Sequence, residues 1–149
     1  MDESEALGRA IKMAAMAHYM QVDKSGRPYI LHPLAVMNKM ETDAEKIVAV
    51  LHDIIEDTPL TLLELKHEGE FSDEIIEAVD AITKRENESS NDYYKRLMLN
   101  PLAVTVKIGD IEHNMSPDRL LSIKEKDLKR IQYYHSRWKK LKNIRKNFR

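Results

Sequence analysis

Cysteine is absent from all 149 residues, which excludes disulfides, thiolate metal ligands and a cysteine nucleophile and accords with a reducing compartment. Glycine and proline are scarce, at four and five residues, and no segment shows the sustained apolar-polar alternation of a half-buried strand. An all-α fold of helices joined by short turns is therefore expected. No apolar run reaches the ~18 residues that a membrane span requires, so no membrane association is expected. The opening stretch MDESEALGRAIKMA is acidic at its start and has neither a basic nor an apolar region of the secretory kind, so the expected location is cytoplasmic. Internal repeats, low-complexity blocks and a second domain are also missing. With 42% hydrophobic residues the chain suits a single domain, 1–149, built on one sizeable core.

Net charge is close to balance, at −1, but unevenly spread. From Arg137 to Arg149 there are seven Lys or Arg and no acid, with Trp138 and Phe148 among them. Such a tail is a candidate nucleic-acid contact. The balanced remainder of the chain instead favours a solvated C-terminal helix, whose cations suit the negative end of the helix dipole. Nucleic acid is thus not the expected partner, and nothing in the sequence sets the oligomeric state.

Apolar spacing and capping signals predict helices over Glu3–Met20, Pro33–Met40, Asp43–Ile55, Thr61–Glu68, Ser72–Thr83, Asn91–Leu99 and Pro101–Met115, and a long final helix over Ile123–Asn147. Thr61 with Glu64 reads as a capping box, and Ser72 precedes Asp73-Glu74. Between them, 21–29 is a polar loop with Gly26 and Pro28 as breakers, and the polar segment 84–91 reads as mobile.

The chemistry sits in three separated segments. His52-Asp53 interrupts the apolar stripe of Ile47, Val48, Val50, Leu51, Ile54 and Ile55, so an imidazole and a carboxylate are expected on a mostly buried helix. Burying both costs several kcal/mol without compensation, and a cation compensates both at once. Adjacent helical positions differ by about 100° in direction, yet a longer His and a shorter Asp can converge on one ion. Glu56 and Asp57 follow about one turn later. His32 precedes a proline suited to the first turn of a helix, and Asp110 shares a helix with Asn114 four residues on. A His-Asp dipeptide alone is more often a structural or solvated pair. Taken with His32 and Asp110, it supplies two imidazoles and two carboxylates for one divalent cation.

The segments KSGRPYILHPLAV, AVLHDIIEDTP, AITK and VKIGDIEHNM, in this order and spacing, resemble the HD-domain phosphohydrolases, and in particular the RelA/SpoT-type branch that removes pyrophosphate from the 3′ position of guanosine tetra- and pentaphosphate. The resemblance runs from about Ile11 to Tyr134. It implies a compact multi-helix HD fold with a long C-terminal helix, and a free-standing metal-dependent hydrolase of a small nucleotide. It further implies that His32, His52, Asp53 and Asp110 bind one metal, usually manganese, and that Glu56 and Asp57 are the paired acids beside it. Asn114 matches a site residue one turn beyond the last ligand. Lys24 and Ser25 match a loop lining the nucleotide pocket, Thr83-Lys84 a pocket edge, and Tyr133 a tyrosine near the substrate. His113 matches the same motif as Asp110 and is expected either to support that carboxylate or to cap a packing contact.

Two departures bear on the substrate. Asp23 stands where the family commonly has arginine, and Ile111 occupies the position of a second arginine. Both remove positive charge where a highly anionic nucleotide is expected, which keeps two further readings open. One is an HD phosphatase acting on another phosphate ester, such as a nucleoside monophosphate or NADPH. The other is a non-catalytic nucleotide-binding module. Lys24, Lys84, Lys107 and Arg85 are the cations available to balance phosphoryl charge. His18, on the first helix, is expected to be a core or surface residue and not a ligand, and His67 and His135 surface residues.

Overall fold

The structure, a computed structural model, describes residues 2–117, 120 and 122–148. Among these, every regular element is helical: α1 (Glu3–Ala17), α2 (Leu31–Asn38), α3 (Asp43–Leu51), α4 (Ile54–Asp57), α5 (Leu62–Gly69), α6 (Asp73–Ile82), α7 (Ser90–Leu97), α8 (Pro101–Asn114) and α9 (Glu125–Lys146). Among the described residues, no helix is long and apolar enough to cross a membrane.

Local signals start most of these helices. Thr42 and Thr61 each accept from the backbone N–H three residues on, while Glu45 and Glu64 reach back, so both α3 and α5 open on a reciprocal capping box. Ser72 caps α6 by accepting from Ile75, and Asn100 caps α8 with Pro101 in its first turn. The first helix ends earlier than its apolar pattern suggests, at Ala17, because the chain turns back at His18–Gln21 and Met20 takes a left-handed φ of 72°. The second helix begins earlier, at Leu31, so Pro33 lies inside its first turn, where its missing N–H costs no hydrogen bond.

The centre of the fold is α3, whose residues Ile47, Val48, Ala49, Val50 and Leu51 are all buried. Helices α1 and α2 pack most extensively on it, and α6 and α8 close its other sides. Helix α9 lies against α8 through Leu141, with Tyr134 and Trp138 packed at the edge of the core. Gly109 allows the tight approach of α2 to α8, since a Cβ there would stand 2.6 Å from the Met40 terminal methyl carbon. That approach places His32 of α2 opposite Asp110 of α8.

The basic tail is largely folded into α9. Arg137 lies over the rings of Tyr94 and Tyr133 and donates to Asn91, and Lys142 lies over Trp138. Arg149, the last cation of that stretch, is outside the described residues.

Candidate metal centre and active site

The helix expected over Asp43–Ile55 breaks at the His-Asp pair. The His52 side chain takes the Ala49 carbonyl, at 2.6 Å from Nδ1, and the His52 backbone N–H reaches that same oxygen only at 3.4 Å. Asp53 then adopts φ −104° and ψ 0°, outside the α-helical region, and α4 starts afresh at Ile54. The break, more than any difference in side-chain length, brings two consecutive residues to one point.

Four groups meet there. The Nε2 atoms of His32 and His52 lie 3.7 and 3.1 Å from Asp53 Oδ2, and 2.8 and 3.2 Å from Asp110 Oδ1. His32, His52 and Asp110 are buried, and the Asp53 side chain is 18% exposed, so the cluster has one open side. His52 Nδ1 faces a carbonyl, which only accepts, and must carry the ring hydrogen. Its Nε2 therefore presents a lone pair to two carboxylate oxygens unless a proton or a cation lies between them. Burial opposes charging this imidazole, but Asp53 and Asp110 outweigh burial and raise its pKa well above the ordinary value. Likewise His52 pulls the Asp53 carboxyl down to about 2 against the effect of burial. Two imidazole nitrogens and two carboxylate oxygens with converging lone pairs suit a divalent cation, and the ligand atoms offered by His32, His52 and Asp53 all lie within 4.8 Å of one another.

A second ring of contacts fixes these groups. Tyr29 donates to Asp53 Oδ2 and lies 3.2 Å from Asp57 Oδ2. Burial and these two carboxylates push the Tyr29 phenol far up, so it remains a donor. His113 lies against His32: the two Nδ1 atoms are 2.7 Å apart and the rings stack at 4.9 Å. Asp110 is held by Asn114, at 3.0 Å, and by Lys107, whose Nζ is 2.9 Å from Oδ2. Lys107 is thus engaged with a ligand and is not a spare cation for phosphate. Burial raises the Asp110 pKa, but Lys107 and His52 hold it well below the usual carboxylate range. Substituting Lys107→Met leaves that charge buried and short of a partner. A loss of about 3–5 kcal/mol is expected, read as a drop in the urea midpoint of the metal-free protein.

The paired acids lie just beyond. Glu56 Oε1 accepts from the Lys84 backbone N–H at 2.6 Å, and burial raises the Glu56 carboxyl despite that bond. Burial also raises Asp57, with the Asp53 charge adding to it. Both acids, with Lys84, line an open cleft of about 590 Å³. Arg85, on the same cleft, pairs with Asp80 at 3.2 Å.

Lys24, Ser25 and Asn114 line a separate cavity of about 290 Å³, which Tyr29 and Arg130 share. Tyr133 does not line it; its ring packs at 5.7 Å from Tyr134. Asp23 turns its carboxylate into its own loop, where Oδ1 accepts from Ser25 and Arg27 at 2.8 and 3.0 Å. Ile111 is fully buried in the core, so the change at that position alters packing and not the cavity lining. His18 is buried beside Tyr29 with Nδ1 2.9 Å from Gln21 Oε1, outside the ligand cluster, and His67 and His135 are exposed.

Sequence reasoning did not single out Tyr29, which bonds to Asp53, or Arg130, which lines the cavity of Lys24 and Ser25. Tyr29 carried one usable signal, an aromatic ring in a polar loop three residues before His32. Nothing in spacing separates Arg130 from the other cations of α9, yet its Nε is buried and makes no hydrogen bond among the described residues.

No family model matches the chain. It is 36% identical over 126 residues to a probable GTP pyrophosphokinase of Mycobacterium leprae, covering 76% of this chain and 16% of that protein. It is 31% identical over 129 residues to the bifunctional (p)ppGpp synthase/hydrolase SpoT of Escherichia coli, covering 76% and 18%. The chain therefore spans less than a fifth of the length of these curated relatives. The solved structure of a metazoan ortholog of SpoT, described as hydrolysing ppGpp, superimposes with a TM-score of 0.72 at 16% identity, over 91% of this chain and 84% of that one. That likeness shows the fold. The described residues form helices around a His, His-Asp and Asp cluster, the arrangement that the resemblance to the HD-domain proteins implies. In sequence, the chain is similar to proteins of the RelA/SpoT type.

Proposed function

We propose that this chain is a manganese-dependent phosphohydrolase that releases pyrophosphate from the 3′ position of a guanosine or adenosine nucleotide such as (p)ppGpp, acting in the cytosol. The observation carrying the reading is the convergence of four lone-pair atoms, from His32, His52, Asp53 and Asp110, beside two acids whose pKa values burial has raised. A divalent cation bound there supplies Lewis-acid activation of water and of a phosphoryl oxygen.

The remaining work falls to the chain's own side chains. Glu56 is held through Oε1, which leaves Oε2 to take a proton from the attacking water and return one to the departing 3′ oxygen. Asp57, whose Oδ2 lies 3.2 Å from the Tyr29 hydroxyl, orients the same water. Two acids this close titrate as a pair, so either can hold the shared proton. Lys24, Ser25, Asn114 and Arg130 form the wall against which the nucleotide rests, and Lys84 balances charge at the cleft. Asp23 is less adverse to an anionic substrate than its charge suggests, because two backbone N–H groups already engage it. Arg130 supplies a cation at that end.

Asp23 nevertheless favours a second reading, hydrolysis of a less highly charged phosphate ester. The two are separated by offering the manganese-loaded protein ppGpp, pppGpp, ppApp, NADPH and nucleoside monophosphates while measuring pyrophosphate and orthophosphate independently. Pyrophosphate from the 3′-diphosphates is the expected product. Orthophosphate alone would move the assignment to the second reading, and neither product from any substrate would leave only a binding module.

A further inference from the structure

The segment joining α6 to α7 contains no apolar anchor, yet it supplies the N–H that fixes Glu56. Beside the Arg85–Asp80 pair, one side chain makes four of the bonds that hold it. The Arg96 guanidinium donates to the Asp80 carbonyl at 2.8 Å through one terminal nitrogen and to the Thr83 carbonyl at 2.7 Å through the other. It also grips Glu88 with two bonds, Nε to Oε2 at 3.0 Å and a terminal nitrogen to Oε1 at 2.9 Å. Glu88 Oε1 in turn accepts from the Arg85 backbone N–H, also at 3.0 Å. Arg96 thus ties the C-terminal carbonyls of α6 to the far side of the turn, and the peptide held directly at Thr83 O is the one whose N–H belongs to Lys84. That N–H meets Glu56 Oε1.

We propose that Arg96 is a positioning residue for the reaction, acting through the Thr83–Lys84 peptide to hold the Glu56 carboxylate in register with the metal cluster. The inference rests on the reading of Glu56 as the proton-transfer group. Three features distinguish this brace from an ordinary surface ion pair. Its carbonyl bonds satisfy the last turn of a helix, where the dipole favours a cation. The Arg96 and Glu88 side chains are only 21% and 13% exposed, so the pair is shielded from bulk water. The planar guanidinium fits both carbonyls and the carboxylate at once, which a lysine ammonium cannot reproduce.

The test uses the full chain loaded with manganese, in Arg96→Met, Arg96→Lys and Glu88→Gln forms, each alone and with Glu56→Gln. Arg96→Met is expected to lower kcat by roughly ten- to a hundredfold, the scale of lost alignment, with KM changed less than about twofold and metal content unchanged. Arg96→Lys is expected to restore little. In the Glu56→Gln background the Arg96→Met effect is expected to vanish, because both changes remove the same aligned carboxylate. An independent reading, valid even if no substrate is turned over, is the Lys84 amide proton by NMR on the metal-free protein. A proton shared with a carboxylate lies downfield and exchanges slowly, and Arg96→Met is expected to move it upfield and speed its exchange. Should Arg96→Met prove unstable, Glu88→Gln is expected to give the same signature more weakly. Unchanged Lys84 resonance and exchange in the folded variants would overturn the proposal, as would a kcat loss that adds in full to that of Glu56→Gln. If the wild type shows no hydrolysis while the Lys84 signal still depends on Arg96, the brace stands and the reading of function fails.

Discussion

Asp53→Ala is expected to yield folded protein that loses its divalent cation on dialysis and shows no nucleotide hydrolysis above background. The carboxylate removed faces both imidazoles, at 3.1 Å from His52 and 3.7 Å from His32, and supplies half of the negative charge among the four donors. Losing an outer partner of a metal ligand costs about 10–100-fold in metal affinity, and losing a ligand itself is expected to exceed that. The fold survives because Asp53 sits at the break between α3 and α4 and belongs to no part of the apolar core. Metal content after dialysis, read beside product release and a far-UV melting curve, checks all three parts. Retained metal with normal turnover would remove Asp53 from the site.

Glu56→Ala separates binding from chemistry. Metal content is expected to remain at the wild-type value, because Glu56 makes its hydrogen bond to the Lys84 peptide and not to a ligand. Turnover is expected to fall by about 10²-fold or more, the usual scale for a lost acid-base group. Since alanine also frees the Lys84 N–H, Glu56→Gln is the sharper companion: it keeps an acceptor for that N–H and removes only the proton-transfer capacity. The two variants are expected to be similarly slow. If Glu56→Gln hydrolyses at the wild-type rate, proton transfer resides elsewhere, and Asp57 becomes the group to test.

What was legible in the sequence divides along the distance over which each feature is determined. Thr61 with Glu64, and Ser72, mark helix starts by chemistry confined to four residues, and the structure has those starts where they were predicted. The meeting of His32, His52, Asp53 and Asp110 was legible for a different reason, since polar groups on apolar stripes require partners and these are mutually suited. The break at His52-Asp53 was not legible, because it depends on an imidazole competing for the Ala49 carbonyl. The segment 84–91 reads as mobile from composition alone, whereas Arg96 of α7 staples it to α6 from outside. Arg130 shows the same limit, since it joins the cavity lining only where α9 passes the loop carrying Lys24 and Ser25. Ile111 and Asp23 show the converse. Read by charge alone, both departures seem adverse to an anionic substrate, yet one side chain faces the core and the other its own backbone.

The central claim is a single cation gripped by two imidazoles and two carboxylates, and electron paramagnetic resonance of manganese added to chelator-stripped protein tests it most directly. The account predicts a single tight site per chain, with nitrogen couplings from two histidine rings that fall to one ring in His52→Ala. A spectrum of free aqueous manganese, or a bound signal without nitrogen coupling that His52→Ala leaves unaltered, would contradict it.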